Sequence, residues 1–112
     1  MSLVAEQAAF LLDVAKLINK ATELGFVVTG GELARTPEQQ AIYVKTGRSK
    51  TMNSIHLKRC AIDLNFFVNG KLCYDIPTLK PVGEYWESLN PKNSWGGHWK
   101  SFKDVPHFER RV

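Results

Sequence analysis

The stretch SIHLKRCAIDLNFFVNG, residues 54–70, determines how the rest of the chain is arranged. It contains a histidine, His56, followed by an apolar, β-branched run from Cys60 to Val68 that is typical of a strand. Asn69-Gly70 is the strongest signal for a two-residue hairpin in the sequence. The chain should therefore return as a partner strand over residues 72–74, which places Cys73 opposite Phe66.

The same strand-like run contains one carboxylate, Asp63, at a position where an unpaired charge would destabilise the fold. Side chains alternate between the two faces of a strand, so Ile62, Leu64 and Phe66 should pack together against the helices. Asp63 lies on the other face, within an otherwise apolar strand. A charge in that position requires an ionic partner or a metal. Asp63 is therefore predicted to be functional.

The elements around this hairpin are short and mixed in type. Caps predict a helix from Thr36-Pro37 to about Lys45, and apolar spacing predicts another over residues 78–89. Short strands are expected at residues 26–29 and 106–109. We predict one α+β domain spanning residues 1–112, with a small antiparallel sheet, helices packed on one of its faces and a zinc site on the sheet. The first helix ends before Gly25, and its predicted apolar positions are Leu3, Phe10, Leu11, Val14, Leu17, Ile18, Ala21 and Leu24.

Composition excludes several classes of function. The chain has 112 residues, 44% of them hydrophobic, which suits one domain with a real core. Its net charge of +4 is mild, and no block of basic residues indicates nucleic-acid binding. No run is long enough to span a membrane, and the N-terminus does not resemble a secretion signal. We expect synthesis in the cytoplasm and two free thiols, Cys60 and Cys73, rather than a disulfide.

Two histidines and two aspartates together predict metal chemistry. His56 and His107 supply two imidazoles and Asp63 supplies one carboxylate, a common set for catalytic zinc that leaves a position open for water. Asp104 precedes His107 across a tight turn that contains Pro106. It can approach the metal without being a ligand, as a general base must.

Two further features have more than one interpretation. Arg35 precedes the second helix and, on local sequence alone, is consistent with an ordinary solvated arginine. The segment Trp95-Gly96-Gly97-His98-Trp99 is predicted to be a glycine-hinged loop. Its tryptophans suit either the wall of a binding cleft or a lid over the core.

The combined motifs resemble a known family. Ser54-x-His56-x6-Asp63, together with Asp104-x-x-His107, is similar to the zinc peptidases of bacterial cell-wall peptides. These include D-alanyl-D-alanine carboxypeptidases and dipeptidases, and the L-alanyl-D-glutamate endopeptidases used as bacteriophage endolysins. The endolysin branch is more similar, through residues 31–40, 50–54 and 95–99.

The resemblance implies a role for each matching residue. His56, Asp63 and His107 would bind one zinc ion, and Asp104 would be the catalytic base. Arg35 and Ser54 would hold the substrate or stabilise the oxyanion, and Trp95 and Trp99 would contact the substrate. Two positions depart from the family pattern, because Arg59 replaces a usual glycine and His98 replaces a usual aspartate. The sequence does not indicate an oligomeric state.

The implied function is hydrolysis of peptidoglycan stem peptides, most simply between L-Ala and D-Glu, after release of the protein to the cell wall. A D-Ala-D-Ala carboxypeptidase or dipeptidase on the same scaffold is the first alternative. A non-catalytic wall-binding module with a structural zinc is the second. Asp104 argues against that module, because a structural zinc site usually has four protein ligands and needs no base.

Overall fold

A computed structural model describes residues 2–49, 54–101 and 103–112 of the chain. In these ranges, three helices and five strands form an α+β fold with one antiparallel sheet in the order β1-β2-β5-β4, and β3 also pairs with β2. The fold class is as predicted. No helix in these ranges is long and apolar enough to cross a membrane. The helices are α1 (Leu3–Glu23), α2 (Pro37–Lys45) and α3 (Ile76–Leu89); the strands are β1 (Val27–Gly30), β2 (Ala61–Val68), β3 (Lys71–Cys73), β4 (Asn93–Trp95) and β5 (His107–Arg110).

The predicted hairpin forms between β2 and β3. Phe66 lies opposite Cys73, in the expected register. Asn69 and Gly70 connect the strands with φ values of 52° and 77°. Positive φ at both central residues is the requirement of the type I′ turn that Asn-Gly favours. Both cysteines are free, as predicted.

The core lies between the sheet and the two longer helices. Ile62, Leu64 and Phe66 of β2 are buried on the face that α1 and α3 cover, which confirms the predicted alternation. Aromatic rings connect the layers, with the Phe10 and Trp86 ring centroids 5.5 Å apart. The opposite face of β2 carries Asp63 and Asn65, and it lines a cleft.

Local capping chemistry sets the helix starts. Thr36 caps α2 by accepting a hydrogen bond from the Gln39 backbone N–H at 3.1 Å, as predicted. Helix α3 begins at Ile76, two residues earlier than expected. The reason is that the Asp75 carboxylate, and not Thr78, is the cap; it accepts the Thr78 backbone N–H at 3.0 Å.

The prediction for the inner face of α1 was partly wrong. Phe10, Val14, Leu17 and Ala21 are in the core, but the other predicted positions remain exposed: Leu3, Leu11, Ile18 and Leu24. The helix has more apolar positions than one stripe can hold, and α3 and the sheet cover only one stripe.

Strand β4 was missed by the sequence analysis. The segment predicted to be a loop at residues 95–99 begins with the last residue of this strand and continues as a 3₁₀ turn over Gly96–His98. A three-residue strand is too short to show the alternation by which strands are recognised. Residues 50–53, which belong to one of the segments similar to the endolysin branch, lie outside the described residues.

A buried arginine anchors β5. Arg110 is 3% exposed; its Nε donates to Asn93 Oδ1 at 3.2 Å and its guanidinium pairs with Asp13 of α1. The Arg110 backbone N–H donates to the Cys60 carbonyl at 2.8 Å. These contacts fix the strand that carries His107 against both β2 and the first helix.

Candidate active site

Asp63 and His107 face each other across the β2–β5 ladder. Their Cα atoms are direct partners in the antiparallel register, so both side chains project from the same face. His107 Nδ1 lies 3.6 Å from Asp63 Oδ1, and His56 Nε2 lies 3.4 Å from the same oxygen. One ligand atom from each of the three residues falls within 4.8 Å of the others. The structure thus brings together the three side chains that the sequence singled out.

The turn before β2 fixes His56. A 3₁₀ turn over Ile55–Lys58 carries the residue, and Ser54 Oγ accepts its backbone N–H at 3.2 Å. His56 Nδ1 lies 3.2 Å from the Leu33 carbonyl oxygen. Because a carbonyl can only accept, Nδ1 carries the proton and the lone pair of Nε2 points toward Asp63. Such a hydrogen bond is the usual way to orient a metal-binding histidine.

Arg59 ends this turn in the left-handed region, with φ 56° and ψ 33°. A non-glycine residue in that region is strained, which explains why a glycine suits this position. Arg59 is exposed and is not among the residues that line the cleft, so its effect is on the backbone and not on cleft shape.

We expect Arg59→Gly to stabilise the fold. Removing the left-handed strain should raise the free energy of unfolding by about 1 kcal/mol, or the midpoint of thermal unfolding by about 4 °C. Calorimetry of the two proteins measures the difference. Lys58→Gly, in the same turn but without a positive φ, is the control and should not stabilise. An unchanged or lowered midpoint for Arg59→Gly would contradict the strain argument.

Glu109 orients His107 from the opposite side. His107 Nε2 lies 2.7 Å from Glu109 Oε1, so Nε2 carries a proton and Nδ1 is directed at Asp63. Burial alone would lower the pKa of His107, but Asp63 and Glu109 raise it to about 9. The sequence analysis overlooked Glu109. Its position two residues after His107 on a strand, and so on the same face, was the available indication.

Glu109→Ala should weaken metal binding without removing a ligand. Loss of the carboxylate that orients a ligating imidazole typically costs about 10–100-fold in metal affinity. Competition with a chromophoric chelator measures this affinity. Glu87→Ala is the matched control, because Glu87 pairs with His98 at 2.8 Å, outside the cluster. Equal metal affinities for the Glu109→Ala and wild-type proteins would remove Glu109 from this role.

The buried oxygen of Asp63 provides a test of whether a metal fits. Asp63 Oδ1 is buried and has no hydrogen-bond partner among the described residues. Burial alone would raise the pKa of this carboxyl, but His107 and His56 hold it well below its ordinary value. Ligands about 2.0–2.2 Å from a tetrahedral zinc lie about 3.3–3.6 Å from one another. The observed separations of 3.4 Å and 3.6 Å fit such an ion.

A glycine allows the backbone to approach Asp63 closely. The Gly31 N–H donates to the Asp63 carbonyl at 2.7 Å, and the Asp63 N–H donates to the Glu32 carbonyl at 2.9 Å. A Cβ atom on Gly31 would lie 2.9 Å from the Asp63 carbonyl oxygen. Gly31 therefore has no room for a side chain. Because it has none, the backbone of the cleft wall can lie directly against β2.

Asp104 lies beside the cluster without belonging to it. The residue is half-buried and lines the same cleft as Asp63. Burial raises the pKa of its carboxyl above the ordinary value; His107 opposes this rise and Asp63 adds to it. A carboxylate with a raised pKa is suited to accept and return a proton.

Gly96 positions the turn that carries Asp104. The Asp104 N–H donates to the Gly96 carbonyl at 3.1 Å, and the His107 N–H donates to the Asp104 carbonyl at 3.1 Å. A Cβ atom on Gly96 would lie only 2.1 Å from the Asp104 carbonyl oxygen. Any side chain at Gly96 would therefore displace Asp104.

The cleft beside Asp63 and Asp104 has a volume of about 480 Å³, and side chains of both charges line it. Its described lining includes three cationic side chains, from Arg35, Arg48 and Lys103. Arg35 is 9% exposed and is held by Glu32, by Gln40 Oε1 at 2.6 Å and by Ser54 Oγ at 3.2 Å. The interpretation of Arg35 as a freely solvated arginine is therefore wrong.

Tyr43 organises both arginines of the cleft. The guanidinium carbons of Arg35 and Arg48 lie 4.6 Å and 4.5 Å from the centroid of its ring. Its hydroxyl donates to Glu32 Oε2 at 2.8 Å, and this hydrogen bond raises the pKa of Tyr43. The sequence analysis did not identify Tyr43, because a tyrosine on a short helix carries no local indication of such contacts.

The two tryptophans of the aromatic segment have different environments. Trp95 is fully buried in the core, and its Nε1 donates to the Val105 carbonyl at 2.8 Å. Trp99 is half-buried, and its ring centroid lies 5.0 Å from that of His107. His98 pairs with Glu87 and is not one of the three cluster residues. Trp99 is thus the tryptophan that borders the site.

Comparison with known proteins places the chain in a family. The family model described as D-alanyl-D-alanine carboxypeptidase matches residues 47–110, which include all three cluster residues and Asp104. The chain belongs to this peptidase family. The match covers more than half of the chain, and the helices and strands that it excludes are α1, β1 and α2. Membership agrees with the resemblance drawn from the motifs.

Two similar proteins, one compared by sequence and one by structure, indicate which peptidases this chain resembles. The L-alanyl-D-glutamate peptidase of Listeria phage A118 is 36% identical over 98 residues, covering 84% of this chain but 34% of the phage protein. The chain therefore spans about a third of that relative. The crystal structure of the L-Ala D-Glu endopeptidase ChiX of Serratia marcescens superposes with a TM-score of 0.69 at 25% identity, covering 88% of this chain and 77% of ChiX.

Proposed function

We propose that the chain is a zinc-dependent endopeptidase that hydrolyses the L-Ala–D-Glu bond of peptidoglycan stem peptides. The observation that carries this proposal is the cluster of His56, Asp63 and His107 around the orphaned, buried Asp63 Oδ1, with Asp104 beside it. The two relatives, both peptidases named for the L-Ala–D-Glu bond, support the choice of bond. We further propose that the protein reaches the wall after release from the cytoplasm, as an endolysin does.

His56 Nε2, His107 Nδ1 and Asp63 Oδ1 would hold the zinc ion. Both imidazoles already have their other nitrogen engaged, by Leu33 and Glu109, so the two ligand nitrogens are both directed at Asp63 Oδ1. A bound zinc ion supplies Lewis-acid activation of water and of the scissile carbonyl. Three protein ligands and an open position are typical of a catalytic and not a structural zinc site, which disfavours a purely structural role.

Asp104 moves the proton in this proposal. Its carboxylate takes a proton from the attacking water and later gives it to the nitrogen of the departing amino group. The raised pKa of its carboxyl favours both transfers at neutral pH. The turn fixed by Gly96 holds Asp104 near the cluster while leaving its side chain in the cleft.

The cationic side chains that line the cleft suit an acidic peptide. A D-Glu residue in the stem peptide retains a carboxylate beside the bond to L-Ala, and Arg35 or Arg48 would pair with it. Glu32 already neutralises Arg35, and Arg48 and Lys103 are the other two cationic side chains of the lining. The remaining carboxylates of the lining, Asp63 and Asp104, would bind the metal and transfer the proton, so they would not oppose the cations as free charges. Trp99, whose ring centroid lies 5.0 Å from that of His107, would contact the substrate at the border of the metal site.

A D-Ala-D-Ala carboxypeptidase is the second candidate, favoured by the description of the matching family model. Such an enzyme must recognise a free terminal carboxylate, for which arginine is the usual residue. Arg35 could bind this terminal carboxylate as well as the carboxylate of D-Glu, so its position does not separate the two reactions.

Mass spectrometry of fragments from defined peptidoglycan separates these reactions. The endopeptidase should create new N-terminal D-Glu and release no free D-Ala. Free D-Ala from a pentapeptide, with the L-Ala–D-Glu bond intact, would establish the carboxypeptidase instead. No product from either bond, with zinc bound stoichiometrically, would favour a non-catalytic wall-binding module. The Asp104→Asn protein is the control for contaminating hydrolases.

A further inference from the structure

Helix α1 has a second apolar stripe on the side that faces away from the core. Val4 is 74% exposed, Leu12 67% and Leu11 54%. At 100° per residue, the stripe covers an arc of about 120° that contains no charged residue. A surface helix normally carries polar and charged residues opposite its core stripe, so this face is unusual for a helix in contact with water. Its members, all exposed, are Val4, Ala8, Leu11, Leu12, Ala15, Ile18, Asn19 and Thr22.

Six of these residues form a regular seam, which we call the outer seam. Their spacings alternate between four and three residues, the pattern of a helix that packs along another helix. Within the seam, large and small side chains strictly alternate: Val4, Leu11 and Ile18 are large, and Ala8, Ala15 and Thr22 are small.

We propose that the outer seam is a homodimer interface in which α1 packs antiparallel against α1 of a second copy. In this arrangement every large residue faces a small one, because Leu11 meets Ala15, Val4 meets Thr22 and Ile18 meets Ala8 of the other copy. Each layer then has the same volume, which even packing requires. A parallel pair would instead place Leu11 on Leu11 and Ala15 on Ala15, giving alternately crowded and empty layers.

Charge and area are consistent with self-association. The seam itself contains no charge, so two copies of this basic protein can meet there without like charges directly opposed. Covering the outer seam and Leu12 would bury on the order of 600 Å² per chain, near the size of the largest apolar patch on a typical monomer. This area is below the roughly 800 Å² per partner of a standard protein–protein interface. A reversible dimer with a dissociation constant in the micromolar range is therefore expected.

Sedimentation velocity over a range of protein concentrations tests the interface. Wild type should shift from monomer to dimer between about 1 and 100 μM. Leu11→Glu should remain monomeric, since it would bury a charge in each copy. Ile42→Glu changes an exposed isoleucine of α2, 53% exposed, and should dimerise like wild type. A monomeric wild type at 100 μM, or a Leu11→Glu protein that dimerises normally, would overturn the proposal.

Disulfide trapping tests the antiparallel direction. In a Cys73→Ser background, which leaves only the buried Cys60, Val4→Cys and Thr22→Cys proteins are oxidised separately and as a mixture. The mixture should give a covalent dimer, because the two positions face each other. Neither protein alone should, because equivalent residues would lie about 27 Å apart. Crosslinking of each protein alone, without crosslinking between them, would show a parallel pair and overturn the antiparallel arrangement.

Discussion

The His107→Ala protein should lose both its zinc and its hydrolytic activity. His107 contributes one of the two imidazoles of the cluster, and its removal leaves two possible ligands, Asp63 Oδ1 and, 3.4 Å from it, His56 Nε2. Two ligands do not hold zinc at a catalytic site. Elemental analysis after dialysis should find close to one zinc per chain in wild type and almost none in the variant.

His98→Ala is the matched control for this experiment. It removes a histidine that pairs with Glu87 and does not belong to the cluster, so zinc content and activity should be retained. A chelator should abolish wild-type activity, and added zinc should restore it. Zinc should also raise the free energy of unfolding, by about 4 kcal/mol when free zinc exceeds the dissociation constant a thousandfold. Stoichiometric zinc in His107→Ala, with loss in His98→Ala, would reverse the assignment.

The Asp104→Asn protein should keep its metal and fold but hydrolyse peptidoglycan about 10²–10⁴-fold more slowly, the range that a general base contributes. The amide has nearly the shape of the carboxylate, so the turn held by Gly96 should persist. The amide cannot accept the proton of the attacking water, and the rate of hydrolysis falls for that reason.

Single-turnover hydrolysis of a defined stem peptide gives the rate for this comparison, with zinc content measured on the same samples. Glu84→Gln, an exposed carboxylate of α3 changed in the same way, should leave the rate unchanged. If Asp104→Asn binds zinc and cleaves at the wild-type rate, Asp104 is only a residue of the turn, and another group must take the proton.

Local chemistry made much of this fold predictable. The Asn69-Gly70 hairpin and the Thr36 cap depend on nearest neighbours alone, and both were placed correctly. Asp63 was conspicuous because a carboxylate in an apolar strand must have a partner. The pairing of β2 with β5 has no local signal in the sequence, and it is this pairing that sets Asp63 opposite His107.

The features that sequence analysis missed depend on contacts distant along the chain. Glu109 acquires its importance only because His107 turns one nitrogen toward it, and Tyr43 because two arginines converge on its ring. Helix α1 was predicted correctly, but the periodicity of its apolar residues does not specify which of two apolar stripes packs against the core. Strand β4 depends entirely on its pairing with β5.

For the proposed binding of an acidic peptide, the unit formed by Tyr43 and its two arginines has an energetic consequence. Long cationic side chains ordinarily lose rotamer freedom when a ligand immobilises them, at about 0.5–1.5 kcal/mol each. Here the ring contact at 4.6 Å, with Glu32, Gln40 and Ser54, already restricts Arg35, and the contact at 4.5 Å restricts Arg48. Most of that entropy is lost during folding and not during binding. In the proposed function, this open cleft can thus hold a short, flexible peptide with few contacts.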